Sequence, residues 1–464
     1  MTDVVFIGPS LPVHKVCRLL PDALVLPPVA HGDLLRLDVV PGDRVLIIDG
    51  FFLQHPPVRH REILDLLDRG VTVAGAASMG ALRAAELWQF GMRGVGEVFQ
   101  LYRDGVVTGD DEVAVVHGPA EEGHRTLSEP LVNIRVEVRR AVAAEVLSDA
   151  EAALLLDIAR ELPFRRRSYR ALERTAPPEL AAVVDRFVSW HRRDPRDAKS
   201  ADARLLLSMA AENAPELCPA HDGDQPIDNL HTRFLDSWRA RFAGESVGGQ
   251  WVSDRETAAV LMLLHPEEPA WHRRAVLAGL AGVDIADPAV EERAHQVAGG
   301  RGLTAAPASG WDWLTDRERD LDDREALLRM LVRAFGTTPH RSLALWMVAA
   351  PLRTPALLDA ARQVAAAAAA LNDTLPRTTG QRRPNGRLHF RTEVVDACFA
   401  ALWGCDTDGL EAAAWDRGFV DLMAFRYAAE PLVAYLKTFG APRLPEVAQR
   451  APEETLAGSA ARVG

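Results

Sequence analysis

Ser78 lies in Gly75-Ala76-Ala77-Ser78-Met79-Gly80-Ala81, between an apolar run that reads as a strand and an alanine-rich segment that reads as a helix. Nucleophilic chemistry favours this arrangement. A hydroxyl held on a tight strand-to-helix turn needs small neighbours, and the helix that follows aims backbone N–H groups at an incoming anion. The Met79 N–H is the expected oxyanion donor, with Gly80 beside it. A nucleophilic serine also needs a base and a group that orients the base. His117 closes GDDEVAVVHG, Asp111 and Asp49 are candidate orienting carboxylates, and His55, His60 and His124 compete for the role of base. The alternative for Ser78 is a helix N-cap, which serine fills well. Asp110-Asp111-Glu112 offers carboxylates for a divalent cation, but three consecutive side chains splay apart, so no metal site is expected.

The elements around these residues have to bring them together. VVFIG (4–8), DALVL (22–26), RVLIIDG (44–50) and VTVAGA (71–76) are rich in β-branched residues and end in Gly, Pro or polar punctuation. Between them, HREILDLLDRG (60–70) carries Ile63, Leu64, Leu66 and Leu67 at helical spacing and stops at Gly70. Apolar strands alternating with helices predict an α/β domain: a parallel sheet covered on both faces in Rossmann-like layers. Ligands of such sheets sit beyond the carboxyl ends of the strands. That rule puts Ser10, Asp49 and Ser78 on one rim. A helix is expected over 79–91, then a Gly-punctuated excursion over 92–119 that returns to the sheet. Arg83 and Glu86, three apart on that helix, either pair with each other or lend the site a carboxylate-gripping arginine.

From about residue 140 the periodicity becomes helical, which predicts a large all-α region. The expected division is an α/β core over 1–140, a helical extension over 141–215 and an α-helical C-terminal region over 216–464. Expected linkers are 163–180, 218–229, 244–250, 299–310 and 374–387, with a frayed tail from Pro445. Trp311, Trp313, Trp346, Trp403 and Trp415 are expected to fill helix interfaces.

Composition narrows the function. The 464 residues carry 65 acidic and 53 basic side chains, a net charge of -12, which gives no electrostatic reason to bind nucleic acid or an anionic membrane. Only Lys15, Lys199 and Lys437 are lysines, a bias read as genomic. Cys17, Cys218, Cys398 and Cys405 are too sparse for a disulfide framework and are expected to be buried thiols in a reducing cytoplasm. The opening MTDVVFIG reads as a strand and not as a secretory signal, and no run is long enough to span a bilayer.

Six blocks, FIGPSLP (6–12), VLIIDGFF (45–52), GVTVAGAASMGALRAAEL (70–87), FGMRGVGEVFQLYRDG (90–105), DDEVAVVH (110–117) and LVNIR (131–135), together resemble the TfuA-like core domain. The AASMG string alone resembles the surroundings of the nucleophile in ClpP serine peptidases. The TfuA-like resemblance implies an accessory protein of a YcaO-type enzyme, which activates peptide backbone amides with ATP and exchanges their oxygen for sulfur in ribosomally made peptides. A YcaO-type protein and a precursor peptide are the implied partners. A ubiquitin-like carrier with a C-terminal thiocarboxylate is the natural sulfur donor, and Ser78 would hydrolyse it. Ser10, Asp49, Ser78, Arg83, Glu86, Asp111 and His117 fall inside these blocks. The sequence has no glycine-rich ATP loop, so no cofactor is expected and activation would lie in the partner. Two other functions compete: a noncatalytic adaptor that docks the YcaO protein or the precursor peptide, and a stand-alone serine hydrolase.

Overall fold

The computed structural model describes residues 1–52, 55–217, 225–228, 230, 232–335, 343–374, 381–382 and 388–447, in two compact units, 1–235 and 236–464. In the first unit five parallel strands, β1 (Asp3–Phe6), β2 (Leu24–Leu26), β3 (Arg44–Ile47), β4 (Thr72–Ala76) and β5 (Arg93–Val95), form a sheet in the order β2-β1-β3-β4-β5. Helices α1 (Val13–Leu19), α2 (His60–Asp68) and α3 (Met79–Leu87) lie between strands, and α4 (Glu97–Arg103) follows the last of them. Five more follow: α5 (Leu131–Ala143), α6 (Asp149–Glu161), α7 (Tyr169–Thr175), α8 (Ala181–His191) and α9 (Ala198–Ala211).

Both faces of the sheet are buried because side chains alternate along each strand. Val45, Ile47 and Val73 pack with Ile63 and Leu66 of α2 on one face. Leu46, Ile48, Ala74 and Ala76 pack with Val16 of α1 and with Ala203, Leu206 and Leu207 of α9 on the other. The strand order reverses direction between β1 and β3, where the connections leave to opposite sides and open a crevice at the carboxyl ends. Ser10 and Asp49 stand at that crevice.

The α/β reading holds, with one strand added. β5 was expected as part of an excursion; MRGVG has two glycines and one β-branched residue, too little for a strand pattern, yet it pairs with Ala74–Ala76 at the sheet edge. The stretch 163–180 was expected as a linker but contains α7, whose N-cap Ser168 accepts the Ala171 N–H at 3.1 Å and whose Leu172 is fully buried.

The second unit is largely helical, around a core that joins the helix Asp254–Leu264 to Pro355–Thr374, Thr392–Trp403 and Leu422–Ala429. It is not purely so. The expected linker 244–250 lies within an antiparallel hairpin, Gly244–Val247 with Gln250–Ser253, turned by Gly248 and Gly249 at positive φ. Trp346 is 61% and Trp311 46% exposed, against the expectation that both fill interfaces, and Cys17 is exposed rather than buried. Cys218, most of the expected linkers 218–229 and 374–387, and the tail from 448 lie outside the described residues. Among the described residues no helix is long and apolar enough to cross a membrane.

Candidate functional site

The chain leaves β4 through an unusual turn. Ala77 adopts φ 67°, a left-handed conformation that costs a residue with a Cβ about 1–3 kcal/mol, and the Ser78 N–H closes a three-residue turn on Ala76 O at 2.7 Å. Ser78 then starts α3. Its neighbours are small for a measurable reason: a Cβ on Gly80 would stand 1.7 Å from Ile47 O, and one on Gly75 would stand 2.1 Å from Gly80 O. The helix lies directly on β3 and β4, which fixes where its N-terminus points.

Ser78 occupies the N-cap position without acting as a cap. Among the described residues its hydroxyl makes no cap hydrogen bond and no other, although the residue is only 7% exposed. The Met79 N–H likewise takes no partner there, whereas the Gly80 N–H is already directed to Ile48 O at 3.3 Å. Met79 is therefore the free donor of the expected pair.

Ser78 lines a cleft of about 290 Å³ together with Asp49, Met79, Asp110, Val113 and His117, walled by Phe51, Phe52 and Phe164, with Arg165 also in the lining. His117 reaches it on a short ribbon in which Gly118 N–H bonds to Arg125 O at 2.9 Å and Leu127 N–H to Val116 O at 2.7 Å. The imidazole Nδ1 lies 2.8 Å from Gly118 O. A carbonyl oxygen only accepts, so Nδ1 carries the proton and a neutral His117 offers its lone pair at Nε2, the tautomer a general base requires. The orienting group is thus a backbone carbonyl. No hydrogen bond joins His117 to Ser78.

The other candidates divide. Asp49 is buried and turned to the β1 side: it accepts the Gly8 N–H at 2.9 Å, the Ser10 N–H at 3.0 Å and the Ser10 hydroxyl at 2.7 Å. It lines the cleft but holds Ser10 rather than His117. Asp111 is 58% exposed in its side chain, 3.5 Å from Arg167, and does not line the cleft. Glu112 turns inward to a buried pair with Arg135, so the three consecutive acids point three ways. Arg83 and Glu86 also stay out of the cleft. Arg83 donates to Glu86 and to Val58 O at 3.2 Å, and His60 bonds Glu86 at 2.8 Å. Burial alone would push the Glu86 carboxyl up; the His60 and Arg83 hydrogen bonds and charges outweigh it and hold it below the usual value.

His124, a rival base, sits at φ 54° with its ring 5.2 Å from that of His117. Burial and the neighbouring His117 pull its pKa down. Its buried Nδ1 has no partner, but the residue is not part of the cleft lining. His55 packs edge-on against Phe51, with ring centroids 4.8 Å apart.

Sequence reading missed two residues. Arg165 lies in a basic run taken for a linker. Lys199, at the start of α9, is 3% exposed and donates to Val113 O at 3.0 Å directly behind a cleft-lining residue. Its signal was rarity, one of three lysines in an arginine-rich chain.

Residues 49–168 match the family model described as TfuA-like protein. The match runs from Asp49 at the crevice through the Ser78 turn and the His117 ribbon into the Phe164–Arg165 wall, so it contains most of the cleft. No curated protein matches the chain.

Proposed function

We propose that this chain, TfuA-like over residues 49–168, is the accessory protein of a YcaO-type enzyme in backbone thioamidation of a ribosomal peptide, and that its Ser78 cleft releases sulfur from a thiocarboxylated, ubiquitin-like carrier. One observation carries the second half. A serine hydroxyl at a helix N-terminus makes no cap bond and shares a cleft with an imidazole whose Nδ1 is tied to a backbone carbonyl, leaving Nε2 for the task of a base.

The chemistry follows from those two groups and the free Met79 N–H. Ser78 Oγ attacks the thiocarboxylate carbon, its proton passes to His117 Nε2, and the oxyanion forms against the Met79 N–H at the positive end of α3. The tetrahedral species collapses as His117 returns the proton to sulfur, so that HS⁻ leaves and an acyl-serine remains. Water, deprotonated by the same imidazole, then frees the carrier as an ordinary carboxylate. Sulfide appears where the partner consumes it. The 290 Å³ cleft suits a slender C-terminal tail rather than a folded surface, and Arg165 in its lining suits an acidic terminus.

The test is reconstitution of a precursor peptide, a YcaO-type partner, ATP and a sulfur source with and without this protein. Thioamide yield is expected to depend on the protein, most strongly when the thiocarboxylated carrier replaces free sulfide. Dependence that is equal for both sources would make the protein an adaptor. Hydrolysis of simple esters with no effect on thioamidation would make it a stand-alone hydrolase.

A further inference from the structure

Lys199 is buried where a cation has little reason to be. Its backbone N–H bonds to Asn133 Oδ1 at 3.3 Å and its Nζ donates to Val113 O at 3.0 Å. Among the described residues the ammonium has no second hydrogen bond and no carboxylate at ion-pair distance. Asp49, Asp197 and Glu129 act on it only from farther away, and burial outweighs them, drawing its pKa down. Of the other lysines, Lys437 is exposed and Lys15 half-buried.

Structure alone does not explain the charge. A neutral donor would hold Val113 O as well, and an ammonium buried without an ion pair is costly. The groups around it identify where the charge is used. Val113 and Asp49 both line the cleft with Ser78, and Val113 begins the wall, 113–117, that ends in His117.

We propose that Lys199 is a positioning residue of the Ser78 cleft: through Val113 O it holds the 113–117 wall against the serine turn, and its buried charge gives the cleft a preference for an anionic acyl terminus. This rests on the reading of the cleft as a site for a carrier's C-terminus. It adds a selectivity that the reacting Ser78 and His117 do not themselves provide.

The experiment crosses two changes. Binding is measured by calorimetry for a ubiquitin-like carrier ending in a carboxylate and for the same carrier ending in an amide, with wild-type protein, Lys199→Met and Lys199→Arg. Wild type binds the carboxylate form about tenfold tighter or better, Lys199→Met loses that preference, and Lys199→Arg recovers part of it. A merely structural lysine would weaken both carriers alike and leave their ratio intact, and that result overturns the proposal. Lys199→Gln, which keeps a donor but no charge, replaces the Met variant if the latter does not fold.

Binding needs no catalysis, so loss of sulfide release in Ser78→Ala is read separately. If neither carrier binds wild type, the carrier reading fails, and Lys199 is judged by amide hydrogen exchange across 113–117. Exchange about tenfold faster in Lys199→Met than in wild type supports the positioning role. Equal exchange overturns it.

Discussion

The Asp49 carboxylate accepts the Ser10 hydroxyl at 2.7 Å and the Ser10 N–H at 3.0 Å, which joins the carboxyl end of β3 to the loop that leaves β1. This clamp closes the crevice floor where the strand order reverses. Asp49→Asn keeps the shape but turns one acceptor oxygen into an amide donor, which forces the Ser10 hydroxyl to reverse its bond, and it removes the charge that strengthens all three hydrogen bonds. A loss of about 1–3 kcal/mol is expected in urea unfolding. Ser10→Ala removes a donor and leaves the carboxylate two, so it should cost less than Asp49→Asn.

The turn before Ser78 makes opposite predictions for two small residues. Gly80→Ala drives a Cβ to 1.7 Å from Ile47 O, with backbone on both sides, and is expected to destabilise by more than about 3 kcal/mol or to prevent folding. Ala77→Gly relieves the φ of 67° at the expense of a freer unfolded chain and is expected to be neutral or to stabilise by up to about 1 kcal/mol. Melting temperatures of the two variants check the geometry of the turn directly.

Glu86 ties α3 to His60 and Arg83 outside the cleft. Glu86→Gln is therefore expected to lower the melting temperature while leaving the rate of sulfide release from the carrier as it is in wild type. A large loss of rate with an unchanged melting temperature would bring Arg83 and Glu86 back into the site.

Glu129 gives the first unit a pH dependence with a defined sign. Burial raises its pKa to about 7, against the Asn133 hydrogen bond that favours the carboxylate. The folded protein thus holds a proton that the unfolded chain has already released. Its contribution is present below the ordinary carboxylate pKa and is lost as pH rises through about 7. The melting temperature of wild type should fall between about pH 5 and pH 8 more steeply than that of Glu129→Gln.

Much of this was legible in the sequence, and the failures have physical causes. Four strands and the helices over 60–70 and 79–91 followed from apolar periodicity, because a sheet buried on both faces leaves an unbroken β-branched run. The rim rule brought Asp49 and Ser78 to one cleft and Ser10 beside it. What periodicity does not carry is which partner each polar atom chooses. Asp111 points to Arg167, Glu86 to Arg83 and His60, and Asp49 to Ser10, whereas His117 is oriented by a carbonyl that no sequence pattern marks. β5 was missed because an edge strand of three residues with a central glycine has no pattern to read, and Lys199 because its burial depends on a helix 86 residues beyond the Val113 carbonyl it bonds.

Sulfide release from a thiocarboxylated carrier by Ser78→Ala distinguishes a nucleophilic serine from a capping one. Replacing a capping serine costs about 0.5–2 kcal/mol and spares chemistry, while removing a nucleophile spares the fold and abolishes it. Ser78 makes no cap bond among the described residues, so the variant should melt within a few degrees of wild type. Sulfide release should fall by about 10³-fold or more, with His117→Ala similar and the double variant no worse than either. A Ser78→Ala protein that is less stable yet releases sulfide at the wild-type rate would make Ser78 a cap and not a nucleophile.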